Sequence, residues 1–263
     1  MKFTVLTPTY NRADCLGGVF AGLCAQSFRD FEWVIVDDGS TDGTKELVLS
    51  WTSFFPIRYI WKPNGGAHTA LNVGLDLARG EFVTRIDSDD SCLPSALERF
   101  DYHWKNIPNS ERFAILVSLC YKQDGRTILG SRFPSDVIDT FSLREALSLC
   151  DADRWSIIRT DVARAFRFPE FPGERFLVEG VVWNRMLKHY AARFFNEPLK
   201  IVGYAPGHLS GGPDLRWSSP RGAILYHTEL VLSDVPVTTR FKSALNVLRF
   251  STFSFAKRLG LLR

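Results

Sequence analysis

The sequence predicts an α/β protein: a mainly parallel sheet flanked by helices, with a mixed second half and a helical C-terminal tail. Three observations carry that reading. Through residues 1–105, short apolar runs of strand type alternate with segments whose apolar residues recur at helical spacing. Strands joined through single helices need right-handed crossovers, and these make neighbouring strands parallel. With 263 residues, 45% of them hydrophobic, the chain can bury one large core.

FTVLT (3–7) reads as a buried strand ended by Pro8. Leu16, Val19, Phe20, Leu23 and Cys24 then fall at helical spacing. FEWVIVDD (31–38) is a second strand, and GSTDGT (39–44) a turn in which Ser40 or Thr41 would cap a helix reaching Ser50. IRYIWK (57–62) is a third strand. PNGG (63–66) is a loop before a helix presenting Ala70, Leu71, Gly74, Leu75 and Ala78. EFVTRID (81–87) is a fourth strand, and Pro94 opens a helix to about Trp104. Further on, AILVSLCYK (114–122) and TILGSRF (127–133) are expected to pair as a hairpin. FSLREALSLC (141–150) reads as a helix, RWSIIRT (154–160) as a strand and residues 179–190 as a helix. LKIVGY (199–204) is a short strand leading into the Gly- and Pro-rich APGHLSGGPD (205–214). No repeat or linker separates the halves, so both are expected to share one sheet.

Composition narrows the function classes. A net charge of +3 gives no ground for nucleic-acid binding. Cys15, Cys24, Cys92, Cys120 and Cys150 are odd in number and contain no C-x-x-C pair. That argues against a disulfide framework or a zinc site and for a reducing compartment. The apolar run in MKFTVLTPTYNR is too short for a signal peptide. No stretch approaches the roughly 18 consecutive apolar residues of a membrane span. A cytoplasmic protein is expected. Residues 235–263 carry no acid, and Arg240, Lys242, Arg249, Lys257, Arg258 and Arg263 alternate there with Phe and Leu. Such a helix suits an anionic bilayer surface, which would make the protein peripheral on the inner face of the plasma membrane. Packing on the protein body is the other reading.

Ligands of such sheets sit beyond the carboxyl ends of the strands. That rule gathers residues 9–12, 37–40, 64–69 and 87–90 around one crevice. Asp87, Asp89 and Asp90, in EFVTRIDSDDSCLP (81–94), place three carboxylates within four residues. Their repulsion calls for a counter-charge, and hard oxygen ligands suit Mg2+ or Mn2+ shared with a diphosphate. Alternatively, Asp90 or Ser91 caps the next helix. In VIVDDGSTD (34–42) a carboxylate can accept hydrogen bonds from a base or ribose, or Asp37 and Asp38 simply begin a turn. In TPTYNR (7–12), Tyr10 can line a base and Arg12 can pair with phosphate. In PNGGAHTALNVG (63–74), Gly65 and Gly66 allow close backbone approach, and the helix N-terminus behind them favours anions.

Taken in order, TPTYNR, VDDGSTDGT, NGG-x-x-x-A-x-N-x-G and ARGEFVTRIDSDD resemble glycosyltransferase family 2, the large inverting family of the GT-A fold. The resemblance is close over about the first 105 residues and fainter beyond. It implies a nucleotide pocket lined by Thr7, Pro8, Thr9, Tyr10 and Arg12, with Asp38 on the uracil base and Gly65, Gly66 and Thr69 beside it. It also implies Asp87 and Ser88 near the ribose and diphosphate, and Asp89 with Asp87 on the metal. Relatives often carry a basic residue in the loop after NGG, where this chain has His68 and Thr69.

An inverting transfer needs a carboxylate to take the acceptor's proton. The family's acid at the start of a second-half helix matches Glu179 in FLVEGVVWNRML (176–187), with Gly180 where Asp is common. Phe176, Leu177 and Val178 are expected to desolvate Glu179 and raise its pKa. The alternative is an acid that merely favours its helix N-terminus. Asp151 and Asp153 are the next candidates, as base, acceptor ligands or groups orienting Trp155. Trp155, Trp183 and Trp217 could form a sugar platform, and His208 and Ser210 fall in a candidate lid.

The expected protein is a metal-dependent inverting glycosyltransferase using Mn2+ or Mg2+. It would move a hexosyl or N-acetylhexosaminyl group from a nucleotide-diphosphate sugar, in the first place a UDP-sugar, to a glycan or lipid-linked saccharide in cell-surface polysaccharide synthesis. Residues 1–110 would form the nucleotide-sugar half, 111–215 the acceptor half of the same domain, and 216–263 the basic, aromatic tail. One alternative is an inactive family member serving as a glycan-binding or scaffold subunit. Another is a sugar nucleotidyltransferase, although TPTYNR lacks the Gly-rich triphosphate loop that reaction needs.

Overall fold

The computed structural model describes residues 1–203 and 213–258. The first half lays down β1 (Phe3–Thr9), α1 (Gly17–Cys24), β2 (Phe31–Asp37), α2 (Thr44–Leu49), β3 (Ile57–Trp61), α3 (Ala67–Leu77) and β4 (Phe82–Arg85). All four strands are parallel. Thr9 lies opposite Asp37, and Asp37 opposite Trp61, so β1, β2 and β3 end level and their following turns share one edge. The Ile86 amide extends the β4 ladder onto the Leu6 carbonyl at 3.0 Å, which delivers the acidic turn to the same edge.

Side-chain alternation divides the apolar residues between two layers. Phe3, Val5, Trp33 and Ile35 pack with Leu16, at the N-cap of α1, and with Val19 and Leu23 of that helix. Leu6, Val34 and Val36 pack with Ala70, Leu71 and Leu75 of α3. The cap of α2 differs from expectation. Ser40 Oγ accepts from the Asn11 amide at 2.8 Å, while Asp42 accepts from the Thr44 amide at 3.1 Å and from its hydroxyl at 2.5 Å. A carboxylate closer to the helix takes the task foreseen for Ser40 or Thr41.

The second half adds β5 (Ser91–Cys92), α4 (Ala96–Lys105), β6 (Phe113–Tyr121), β7 (Val137–Thr140), α5 (Leu143–Ser148), β8 (Trp155–Arg159) and α6 (Thr160–Ala165). There follow α7 (Gly180–Met186), β9 (Ala191–Ile201), α8 (Pro213–Ser218), α9 (Pro220–Val231) and α10 (Val237–Arg258). Among the described residues nine strands form one mixed sheet in the order β3-β2-β1-β4-β8-β6-β9-β5, with β7 also on β9. β8 runs antiparallel to β4 and β6 and so splices the halves together.

Two sequence expectations change here. The hairpin of 114–122 with 127–133 shrinks to one bridge, Tyr121 to Ile128. The reason is that β6 is buried along most of its length and flanked on both edges, by β8 and β9. Of the strand expected at LKIVGY, Leu199–Ile201 form the end of β9, whose earlier residues Ala191–Phe195 pair with β6. Pro198 sits at a register shift within β9 and interrupts the pattern that would have marked one long strand.

At the C-terminus α10 rests on α9. Phe250 packs against Trp217 and His227, and His227 Nδ1 lies 3.4 Å from Ser243 Oγ. The opposite face leaves Phe241, Leu245, Leu248 and Phe255 exposed, at i, i+4, i+7 and i+14.

Candidate active site

At the end of β1 the predicted nucleotide residues separate. Thr7 is fully buried and its hydroxyl accepts from Trp33 Nε1 at 2.9 Å, so it supports the edge from beneath and does not line the crevice. Pro8 is half-buried and Tyr10 is exposed. Thr9 is buried; its carbonyl accepts from the Asp38 amide at 2.8 Å, and its Oγ1 has no hydrogen-bond partner among the described residues. The Arg12 amide donates to Thr44 Oγ1 at 3.3 Å, which ties this loop to α2.

Asp38 organises the next loop. Its buried carboxylate accepts from Lys62 Nζ at 2.6 Å, from the Gly65 amide at 2.9 Å and from the Gly66 amide at 2.7 Å. Lys62 also donates to Thr69 Oγ1 at 2.8 Å, and that hydroxyl donates to the Gly66 carbonyl at 2.8 Å. Lys62 thus brings a cation to the loop after NGG, where the sequence showed only His68 and Thr69. Burial holds the His68 pKa below its ordinary value, so this imidazole is neutral at neutral pH. Gly66 has φ +96°, and a Cβ there would lie 2.0 Å from the Arg175 carbonyl oxygen. The close approach at NGG is therefore to the loop that precedes α7, which joins the two halves of the site.

The acidic turn receives two protein counter-charges. Lys200, from β9, donates to Asp90 Oδ2 at 2.5 Å, and the Gly203 amide donates to Oδ1 at 2.9 Å. Both side chains are buried. Burial pushes the Asp90 carboxyl up, opposed by the Lys200 ammonium. Burial also pulls Lys200 down, but Asp90 outweighs it and holds the pKa at about 12. Asp90 is accordingly not a helix cap; the N-cap of α4 is Ser95. Arg85 Nε donates to Asp87 Oδ1 at 2.5 Å, and Arg85 Nη1 pairs with Glu179 Oε1. Ser88, next to Asp87 in the chain, is buried.

Asp87 and Asp89 offer hard oxygen donors suited to Mg2+ or Mn2+. Among the described residues no group of three or more His, Cys, Asp and Glu side chains forms a metal cage. Two carboxylates match the one or two that Mg2+ commonly takes from a protein, with phosphate oxygens and water as its other ligands.

Glu179 occupies the N-cap position of α7, and its side chain is 46% exposed. The desolvation expected from Phe176, Leu177 and Val178 does not occur, because Leu177 turns into the core and Glu179 turns out to Arg85. The loop before it is fixed from α9. Buried Glu174 accepts from the Arg221 amide at 2.9 Å and the Gly222 amide at 3.0 Å, and the Phe176 amide donates to Ser219 Oγ at 3.2 Å. A Cβ on Gly180 would lie 2.6 Å from the Tyr226 ring, so Tyr226 takes the room that an Asp would need there.

Behind Glu179 lies a cavity of about 390 Å3, with Arg85, Asp87, Asp153 and Glu179 among the residues that line it. Trp183 forms a half-buried part of its wall. Trp155 is not a sugar platform. It is buried against Phe100, its Nε1 donates to the Arg85 carbonyl at 2.8 Å, and only part of it reaches the cavity. Trp217 is no platform either, because it packs on Phe250 and Phe253 of α10. Asp151 is held by Arg154 and accepts from the Ser131 amide at 3.0 Å, so it secures a turn. The Ser131 hydrogen bond and Arg154 hold its carboxyl below the usual range. His208 and Ser210, with the candidate lid, lie outside the described residues.

Sequence reasoning missed Arg85, Lys62 and Lys200. An available signal was charge on otherwise apolar strands: Arg85 closes FVTR, and Lys200 interrupts LKIV.

Residues 4–110 match the model of the family described as Glycosyl transferase family 2. Over 103 residues the chain is 38% identical to the GalNAc(5)-diNAcBac-PP-undecaprenol beta-1,3-glucosyltransferase of Campylobacter jejuni, covering 36% of this chain and 32% of that one. The chain spans about a third of the length of the curated relatives it matches. In structure it is similar to S. aureus TarS 1–349 in complex with UDP-GlcNAc, with a TM-score of 0.70, 23% identity and coverage of 97% of this chain and 73% of that one. It is also similar to the mannosyltransferase PcManGT from Pyrobaculum calidifontis in complex with GDP-Man and Mn2+, with a TM-score of 0.61, 16% identity and coverage of 98% and 75%. These likenesses establish the GT-A fold over both halves of the sheet.

Proposed function

We propose that this chain, whose residues 4–110 match the glycosyltransferase family 2 model, is a member of that family and moves a sugar with inversion from a nucleotide-diphosphate sugar to an acceptor hydroxyl, with Glu179 as the base. The observation that carries this reading is the single guanidinium, Arg85, that holds Asp87 of the acidic turn and Glu179 of α7 at one cavity.

The acceptor oxygen attacks the anomeric carbon from the face opposite the diphosphate. The bond from that carbon to the diphosphate oxygen breaks, and its electron pair leaves with the nucleotide. Glu179 takes the proton of the attacking hydroxyl. Arg85 keeps Glu179 beside the acids on the donor side and places a fixed cation near the departing phosphates. Asp89 and Asp87 would hold a Mn2+ or Mg2+ ion, which neutralises charge on the leaving diphosphate when bound. The Asp38–Lys62–Thr69 network shapes the loop beside the nucleotide.

The UDP-GlcNAc complex of a protein of the same fold supports a UDP-sugar donor. The name of the Campylobacter relative supports a lipid-linked saccharide as acceptor, and with it a role in cell-surface polysaccharide synthesis. In this reading residues 1–110 are the donor half, 111–215 the acceptor half and 216–263 the tail. No helix among the described residues is long and apolar enough to cross a membrane. The exposed Phe241–Leu245–Leu248–Phe255 stripe of α10, beside Lys242 and Arg249, instead suits the surface of an anionic inner leaflet. A screen of UDP-, GDP- and dTDP-sugars for nucleotide release with Mn2+ tests the donor assignment. Release from a UDP-sugar is expected; turnover of none of them contradicts it.

A further inference from the structure

Lys200 is buried at the end of β9, and its ammonium pairs with the equally buried Asp90. A buried ion pair stabilises a fold no better than well-packed apolar side chains of similar volume. Stability alone therefore does not account for a lysine and an aspartate at these two positions. Their surroundings do. The Asp90 amide donates to the Asp87 carbonyl at 3.0 Å and closes the acidic turn. Just beyond the turn, β5 pairs Ser91 with Ile201 and Cys92 with Lys200. The Asp90 carboxylate accepts from Lys200 Nζ on one oxygen and from the Gly203 amide on the other, at 2.5 Å and 2.9 Å. Gly203 also lies on the main chain of Asp89, because a Cβ there would come within 1.7 Å of the Asp89 carbonyl oxygen. The end of β9 thus grips the turn at both Asp89 and Asp90.

We propose that Lys200 is a positioning residue for the divalent cation: through Asp90 it fixes the turn that presents Asp87 and Asp89 to the ion. The inference rests on the reading of Asp87 and Asp89 as the carboxylates that hold that ion. Both Asp90 oxygens are engaged by β9, so Asp90 braces the turn and leaves the ion to its neighbours. Partners that orient metal-binding carboxylates commonly change metal affinity by about 10–100-fold when removed. Charge and position predict opposite signs here. Removing the Lys200 ammonium leaves the turn more negative, so charge alone would tighten a cation. Loss of position weakens it.

The test is calorimetric titration of the full chain, with Mn2+ in the presence of UDP and with UDP in the presence of EDTA. Lys200→Met should bind Mn2+ about 10–100-fold more weakly than wild type, with UDP affinity in EDTA unchanged. Lys200→Met/Asp90→Asn keeps the net charge of the original pair and guards against a single variant that misfolds. It should regain thermal stability, yet Mn2+ should still bind about tenfold more weakly than in wild type. Wild-type or tighter Mn2+ binding in the double variant overturns the proposal and leaves the two carboxylates of the ion in place. An equal loss of UDP affinity in EDTA overturns it too, since the pair would then serve the nucleotide and not the ion. Wild-type Mn2+ affinity in Asp89→Asn overturns the reading of the ion site, and the proposal with it.

Discussion

Asp87 and Glu179 are held by one guanidinium, that of Arg85, which bonds Asp87 Oδ1 through Nε and pairs with Glu179 Oε1 through Nη1. Arg85 closes β4 and Glu179 is the N-cap of α7, so the contact couples a strand of the first half to a helix of the second. Arg85→Ala should release both carboxylates and lower the rate of transfer by roughly 10²–10³-fold, in the range of a lost charge-stabilising group. Arg85→Lys should recover little, because an ammonium lacks the fork that serves two acids at once. Steady-state transfer assays of both variants check this, and wild-type rates in Arg85→Ala would show that the bridge plays no part in turnover.

Asp90 and Lys200 form a buried pair between the acidic turn and β9. Lys200→Met leaves Asp90 without its counter-charge and should cost about 3–5 kcal/mol of stability. The double variant Lys200→Met/Asp90→Asn should regain much of that loss. Denaturant unfolding measures all three chains.

The same pair predicts an alkaline limit. The folded pKa of Lys200 is raised to about 12, above the value of roughly 10.4 for an unfolded lysine. A raised base contributes stability fully below its unfolded pKa and loses it as pH climbs through the folded one. The thermal midpoint should therefore fall between about pH 10.4 and pH 12, and the fall should be smaller in Lys200→Met.

Asp38 binds Lys62 and the two NGG amides, so its removal should disturb the loop as well as the nucleotide. Asp38→Ala is expected to weaken UDP binding and to lower stability by about 1–3 kcal/mol, the cost of leaving buried donors unpaired. Calorimetric UDP titration and thermal melts give the two numbers. Lost UDP affinity with an unchanged melt would assign Asp38 to the ligand alone.

The exposed stripe of α10 gives a membrane test that leaves the packed face intact. Replacing Phe241, Leu245, Leu248 and Phe255 by Ser should abolish co-sedimentation with phosphatidylglycerol vesicles and leave the thermal midpoint within about a degree, since these side chains are exposed. Retained sedimentation would assign the stripe to another partner.

The β/α alternation of the first half was legible because its strands and helices follow local periodicity and their turns carry Gly, Asp and Asn. The acidic turn stood out as a candidate for the same local reason, whereas Glu179 was a candidate only through the family resemblance. The counter-charges were not legible, because Arg85 meets Glu179, and Lys200 meets Asp90, only through the closure of the mixed sheet. Pro198 concealed the length of β9, and burial of β6 on both edges removed the expected hairpin. Trp155 looked like a sugar platform because sequence does not show that its ring packs on Phe100.

In the proposed reaction Glu179 removes the acceptor proton, and the decisive experiment is transfer by Glu179→Gln, measured beside UDP and Mn2+ binding by calorimetry. Transfer should fall by about 10²–10⁴-fold while UDP affinity stays within about twofold of wild type. Near-normal transfer with intact UDP binding would contradict the assignment and place the base elsewhere.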